Sequence, residues 1–262
     1  MLDFQCQEQY DLADFVRLIS FLRSEKGCPW DQVQTHASIR RNFIEEVYEA
    51  CEALDDDDKT HMCEELGDVL MQVLFHTDIE REAGSFTIDD VADMACKKLV
   101  ARHPHVFGSP EQREAGFDWD AEKRRERGQT TVTETMRSVS KALPSLWRCE
   151  KVQSKAAKAG FDWRSGEEAF RKLPEETQEL QEAIATGERD QIEEELGDLL
   201  FAVVKVARFQ GIDPETAAHR ACEKFIRRFS AVEDAALESG NALADLSFEQ
   251  LEALYQTCKS RE

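Results

Sequence analysis

The sequence predicts an all-α chain that uses one helical unit twice. Three observations predict it. Glycine and proline number only 12 and 6 in 262 residues, too few for the many tight turns of an all-β fold. No run alternates apolar and polar residues with the period of two that a half-buried strand requires. Finally, EEVYEACEALDDDDKTHMCEELGDVLMQVLFHTD (45–78) lies over EETQELQEAIATGERDQIEEELGDLLFAVVKVAR (175–208) without a gap, at a constant offset of 130 residues.

In the first half, helices are expected near 10–25, 36–55, 61–83, 87–102 and 111–127. DDDDK (55–59) reads as a solvated turn between the second and third, and Ala-Gly-Ser at 83–85 closes the third. RHPHVFG ends the fourth, where His103 and His105 flank Pro104 and suit capping or dimer packing better than metal binding. In the second half, helices are expected near 145–158, 167–186, 189–209, 213–239 and 247–259. Thr-Gly at 186–187 and Gly-Ile-Asp-Pro at 211–214 are turns between them. Ile192, Leu196, Leu199, Leu200 and Val203 share one arc at helical periodicity, a stripe that must pack on a neighbour.

The entry segments correspond too. GCPWD (27–31) and GFDWR (160–164) each place a tryptophan shortly before the first acidic helix of their half. Trp30, Trp119, Trp147 and Trp163 read as packing anchors, and Cys28, with no evident base partner, as a packed loop cysteine. KKLVARH (97–103) resembles EKFIRRF (223–229), four residues out of the earlier register. The seam is expected in the polar stretch 124–135, giving domains 1–130 and 131–262.

Hydrophobic residues at 41% suffice for a core, while 54 acids against 33 bases give a formal net charge of −21. Such a field repels nucleic-acid polymers and anionic membranes, so a polyanionic ligand needs local bases or bound cations. Eight cysteines are scattered without a CxxC pair, which fits reduced thiols in the cytosol. The start lacks the basic opening and apolar core of a signal peptide, and no uncharged stretch is long enough to span a bilayer. The expectation is a soluble, cytoplasmic protein.

The acids carry the chemistry. Glu175, Glu176 and Glu179 stand at i, i+1 and i+4, and Glu195 with Asp198 at i and i+3. A short turn makes the two helices antiparallel neighbours, so the clusters can meet. Carboxylates gathered beside an apolar stripe need neutralising, by shared protons or by a hard dication. A solvated acidic face is the bland alternative, but it leaves a duplicated pattern unexplained. Oxygen-only ligands suit magnesium or manganese, and without Glu-x-x-His a di-iron centre is weak. Lys224 and Arg228, i and i+4, together with Lys172 could complete a phosphate clamp. Physics alone reaches metal-assisted chemistry on a phosphorylated small molecule.

Glu-Glu-x-x-Glu followed by Glu-x-x-Asp, twice over, with GCPWDQVQTH and RHPHVFG, resembles MazG, a family of the all-α nucleoside triphosphate pyrophosphatase superfamily. The resemblance covers nearly the whole chain. It implies two MazG-like helical bundle units in a homodimer. It also implies magnesium-dependent hydrolysis of nucleoside triphosphates to a monophosphate and pyrophosphate with broad base tolerance, manganese being a substitute. By position it implies Glu176, Glu179, Glu195 and Asp198 as metal ligands, with Glu175 and Glu194 orienting water or the ligands. Lys172, Lys224 and Arg228 would then hold the triphosphate. Gln191 stands where the family has a lysine, and Tyr255 replaces a family tryptophan that contacts the nucleotide. Glu46, Glu49, Glu65 and Asp68, echoed by Lys98 and Arg102, form a second metal set, and the family places catalysis in the C-terminal copy. The rivals are a narrow-specificity dUTP or dCTP pyrophosphatase on this scaffold, and a non-catalytic acidic dimer that binds a partner protein.

Overall fold

A computed structural model describes residues 4–110 and 119–260. The described residues are helical throughout, with no strand. The chain divides into two compact units, Met1–Trp119 and Asp120–Glu262.

In the first unit α1 (Leu12–Arg23), α2 (Pro29–Gln32), α3 (His36–Asp55), α4 (Lys59–Glu82), α5 (Ile88–Ala101) and α6 (Pro104–Phe107) follow in order. Side chains just outside the helices fix their starts. Asp11, Thr35 and Thr87 each close a capping box on α1, α3 and α5. The DDDDK turn is a built corner. Asp57 takes a left-handed φ of 54°, which aspartate tolerates better than most residues. The Asp58 side chain then accepts from the N–H groups of Thr60 and His61 at 2.9 and 3.1 Å to open α4. The corner folds α3 back along α4, and Ile19, Ile39, Leu74 and Phe75 form the core beneath. Beside it, buried Arg23 ties α1 to α4 through Glu82 at 2.7 Å, and Ser20 donates to Asp78 at 2.5 Å.

After α7 (Trp119–Glu126), which begins on the last residue of the first unit, the second unit continues with α8 (Val132–Arg137), α9 (Ser145–Lys158), α10 (Gly166–Arg171), α11 (Leu173–Thr186), α12 (Arg189–Phe209), α13 (Pro214–Glu238), a 3₁₀ turn (Leu243–Asp245) and α14 (Phe248–Lys259). α12 is the spine, with α9, α10 and α11 packed on it. Val204 and Val232 are fully buried, and Gln153 of α9 donates to the Phe201 carbonyl at 2.7 Å. Gly187, at φ 74°, turns α11 into α12 at the position equivalent to Asp57.

Several expectations change in detail. The helix expected over 167–186 is two: Pro174 lacks an N–H and its ring opposes continuation, so the chain breaks at Lys172. Short α2, α6 and α8 go unpredicted because four to six residues carry no period. Of the helix expected over 111–127, residues 111–118 lie outside the described residues and the remainder is α7. Trp147 is an anchor, its Nε1 donating to Asp213 at 2.7 Å. Trp30 and Trp163 are not buried anchors, being 59% and 41% exposed. The Trp119 side chain lies outside the described residues. His103 caps α5, its Nδ1 lying 2.5 Å from the Leu99 carbonyl oxygen. All eight cysteines are unpaired thiols.

Candidate metal centres

The α11–α12 hairpin brings the acids of the second unit together. Glu175 and Glu176 occupy the first turn of α11, where the helix dipole favours negative charge, and Glu179 stands one turn on. Glu195 reaches across from α12. One carboxylate oxygen each from Glu176, Glu179 and Glu195 lies within 4.8 Å of the others. Glu176 is buried at 8% exposure, so the cluster is not a uniformly solvated face. Local desolvation, the Glu176 charge and the charges of Glu175 and Glu195 push the exposed Glu179 carboxyl up, against the downward pull of Lys172. This repulsion is the cost that a bound dication would remove.

A third neutraliser is present besides protons and a dication. The Lys172 ammonium, placed by the break at Pro174, sits 2.7 Å from Glu175 Oε1 and 3.1 Å from Glu176 Oε1. These hydrogen bonds hold its pKa well above the usual lysine range. Asp198 falls outside the triad but shares a cavity of about 240 Å³ with Glu176 and Lys172. The other walls are mostly aromatic and small, with one further base: Trp163, Ala169, Phe201, Ala202 and Lys205.

The remaining predicted residues lie elsewhere in the unit. Glu194 is exposed on α12 and stands outside the triad. Gln191 accepts from the Thr186 hydroxyl at 3.4 Å near the hairpin turn. Lys224 and Arg228 lie on α13, and Tyr255 of α14 packs its ring 5.9 Å from that of Phe225. None of these five lines the cavity.

The first unit repeats the triad. Oxygens of Glu46, Glu49 and Glu65 lie within 4.8 Å of one another. Burial, Asp68 and Glu49 push the Glu46 carboxyl up, against a long 3.5 Å bond from Gln72. Glu65 is buried; its Oε1 meets His61 Nε2 at 3.0 Å, while its Oε2 has no partner. Asn42 stands where the second copy has Lys172. Clustered oxygen donors and an orphaned buried carboxylate oxygen fit a hard divalent cation.

Sequence reasoning did not single out Lys205 and read Trp163 as a packing anchor, yet both line the cavity. The signal was there: Lys205 interrupts an apolar run seven residues after Asp198, two turns along the same face of α12.

Comparison with known proteins agrees with the duplication. The MazG nucleotide pyrophosphohydrolase domain matches residues 34–107 and again 164–232, spanning both triads. The chain is 40% identical over 250 residues to the nucleoside triphosphate pyrophosphohydrolase/pyrophosphatase MazG of Thermotoga maritima, covering 94% of each chain. It is 37% identical to the nucleoside triphosphate pyrophosphohydrolase of Escherichia coli K12, covering 91% of this chain and 92% of that one. YabN of Bacillus subtilis is 42% identical over 97% of this chain, which spans 52% of YabN.

Proposed function

Because this chain belongs to the MazG nucleotide pyrophosphohydrolase family, we propose that it hydrolyses nucleoside triphosphates to monophosphate and pyrophosphate, with magnesium and with broad base tolerance. The observation that carries the reading is the duplicated carboxylate triad, joined in the second unit to a cavity walled by Lys172 and Asp198. A chain of net charge −21 has little reason to draw carboxylates together except to hold a cation.

In this reading Glu176, Glu179, Glu195 and Asp198 hold magnesium, or manganese in its place. The bound ion supplies charge to phosphate oxygens and acidifies water. Glu175 and Glu194 orient the attacking water, Glu175 from beside the triad and Glu194 from the exposed face of α12. Lys172 can turn from the carboxylates to a phosphate oxygen, since its side chain is 32% exposed. Lys224 and Arg228 meet the departing pyrophosphate, and Tyr255, with Gln191, contacts the nucleotide, all four at the parts of the substrate that extend beyond the cavity. The second copy is the main catalytic unit, for it has Lys172 where the first has Asn42. Glu46, Glu49, Glu65 and Asp68 hold a second ion.

A homodimer is part of the proposal. Leu196, Leu200 and Val203 of α12 remain 46%, 47% and 46% exposed, a stripe that a second copy would cover. No described helix is long and apolar enough to cross a membrane, and the unpaired thiols fit the cytoplasm.

Pyrophosphate release from the eight common triphosphates, with and without magnesium, tests the reading. Release confined to dUTP or dCTP would replace breadth with narrow specificity. No release with any divalent metal would leave a binding protein instead.

A further inference from the structure

Lys205 is a cation that the metal centre does not use. It projects from α12 into the cavity of the second unit, with Nζ 5.6 Å from the Trp163 ring centre and 6.0 Å from that of Phe201. Among the described residues its amine makes no hydrogen bond and no ion pair, only these two ring contacts. Asp162, the acid whose charge it feels, is held through both oxygens by Arg208 at 2.6 and 2.7 Å. Burial pulls the Lys205 pKa down, and Arg208 adds to this against Asp162. A half-buried donor over two aromatic faces is short of an acceptor oxygen.

The cavity gives that acceptor a place. Glu176, Lys172 and Asp198 line the same cavity. Lys205 follows Asp198 by seven residues, about 10 Å along the axis at 1.5 Å per residue. A triphosphate gripped at the carboxylate end sets its base toward the aromatic end, where flat faces suit stacking. At the equivalent place in the first unit stands Phe75, 6% exposed, so the amine belongs to the second copy alone.

We infer that Lys205 contacts the nucleobase, donating to a ring carbonyl oxygen such as guanine O6 or uracil O4 while Trp163 covers the base. The inference rests on the second unit binding a nucleoside triphosphate, and it adds a preference within that breadth: keto bases over adenine, which has no carbonyl.

The test is steady-state kinetics of the full-length protein and its Lys205→Met variant with GTP, UTP and ATP. The expected result is a KM raised on the order of tenfold for GTP and UTP, as for one lost charge-assisted hydrogen bond. For ATP, KM should change less than about twofold, and kcat should hold for all three. Lys205→Arg, which keeps a cationic donor, should retain the preference. Equal losses on all three would put the amine on the phosphates and overturn the inference, as would unchanged kinetics. In both cases the wild-type pyrophosphohydrolase reading survives. A wild type that turns over none of the three removes both.

Discussion

At the scale of single residues, the carboxylates divide by environment. Glu176 is buried and meets Lys172, whereas Glu179 is exposed and pressed by its neighbours' charges. Glu176→Ala or Asp198→Ala should lower triphosphate turnover by two orders of magnitude or more, with the helical circular dichroism intact. Near wild-type turnover in either variant would remove that residue from the site. Glu179→Gln should do something a purely structural acid would not. It should abolish most turnover yet raise the melting temperature of metal-free protein, because it deletes a repelled charge. A lowered melting temperature would contradict the repulsion. The acids and Lys172 were legible in the sequence because helical spacing alone places i, i+3 and i+4 side chains together. The place of Lys205 and Trp163 in the cavity wall was not, since which side of α12 and which loop wall one cavity is a tertiary fact.

At the scale of elements, the long helices were legible from periodicity, and their ends from caps such as Thr35 and Asp58. The break within 167–186 was missed because the apolar and acidic spacing runs through it, although Pro174 marks it in the sequence. Asp213 shows what a cap contributes. It accepts from the Thr216 N–H and from Trp147 Nε1, each at 2.7 Å, so it starts α13 and pins α9 to it. Burial pushes its carboxyl up, but these hydrogen bonds outweigh burial and leave it below the usual aspartate value. A depressed folded pKa gives stability that is present above the unfolded value and lost as pH falls through the folded one. Asp213→Ala should therefore cost about 1–2 kcal/mol at neutral pH. The difference from wild type should shrink below about pH 4. Urea unfolding at pH 7 and pH 3 checks both, and an equal difference at the two pH values would refute the linkage.

At the scale of the molecule, duplication was the most legible property, since a gapless offset of 130 residues needs no structure to be seen. What each copy does with its triad was not legible, for it turns on unlike neighbours: Lys172 against Asn42, and Phe75 against Lys205. Metal binding should raise the unfolding midpoint, by about 2.7 kcal/mol of stability per site at a hundredfold excess over Kd. Calorimetric titration should resolve two sites per chain, and Glu176→Ala should leave one. The exposed stripe on α12 adds an assembly test: Leu200→Glu should shift sedimentation from dimer to monomer, and an unchanged dimer would move the interface elsewhere.

The ammonium of Lys172 has an ordering effect on the whole. An incoming ion must evict it from Glu176, so the second copy binds its ion in exchange for a resident cation, while the first triad meets, among the described residues, an imidazole at Glu65 and a neutral amide at Glu46. As ion concentration rises, the first copy should fill early and stay filled. The second should fill late, each arrival freeing a positive charge in the cavity wall when a phosphate tail needs one.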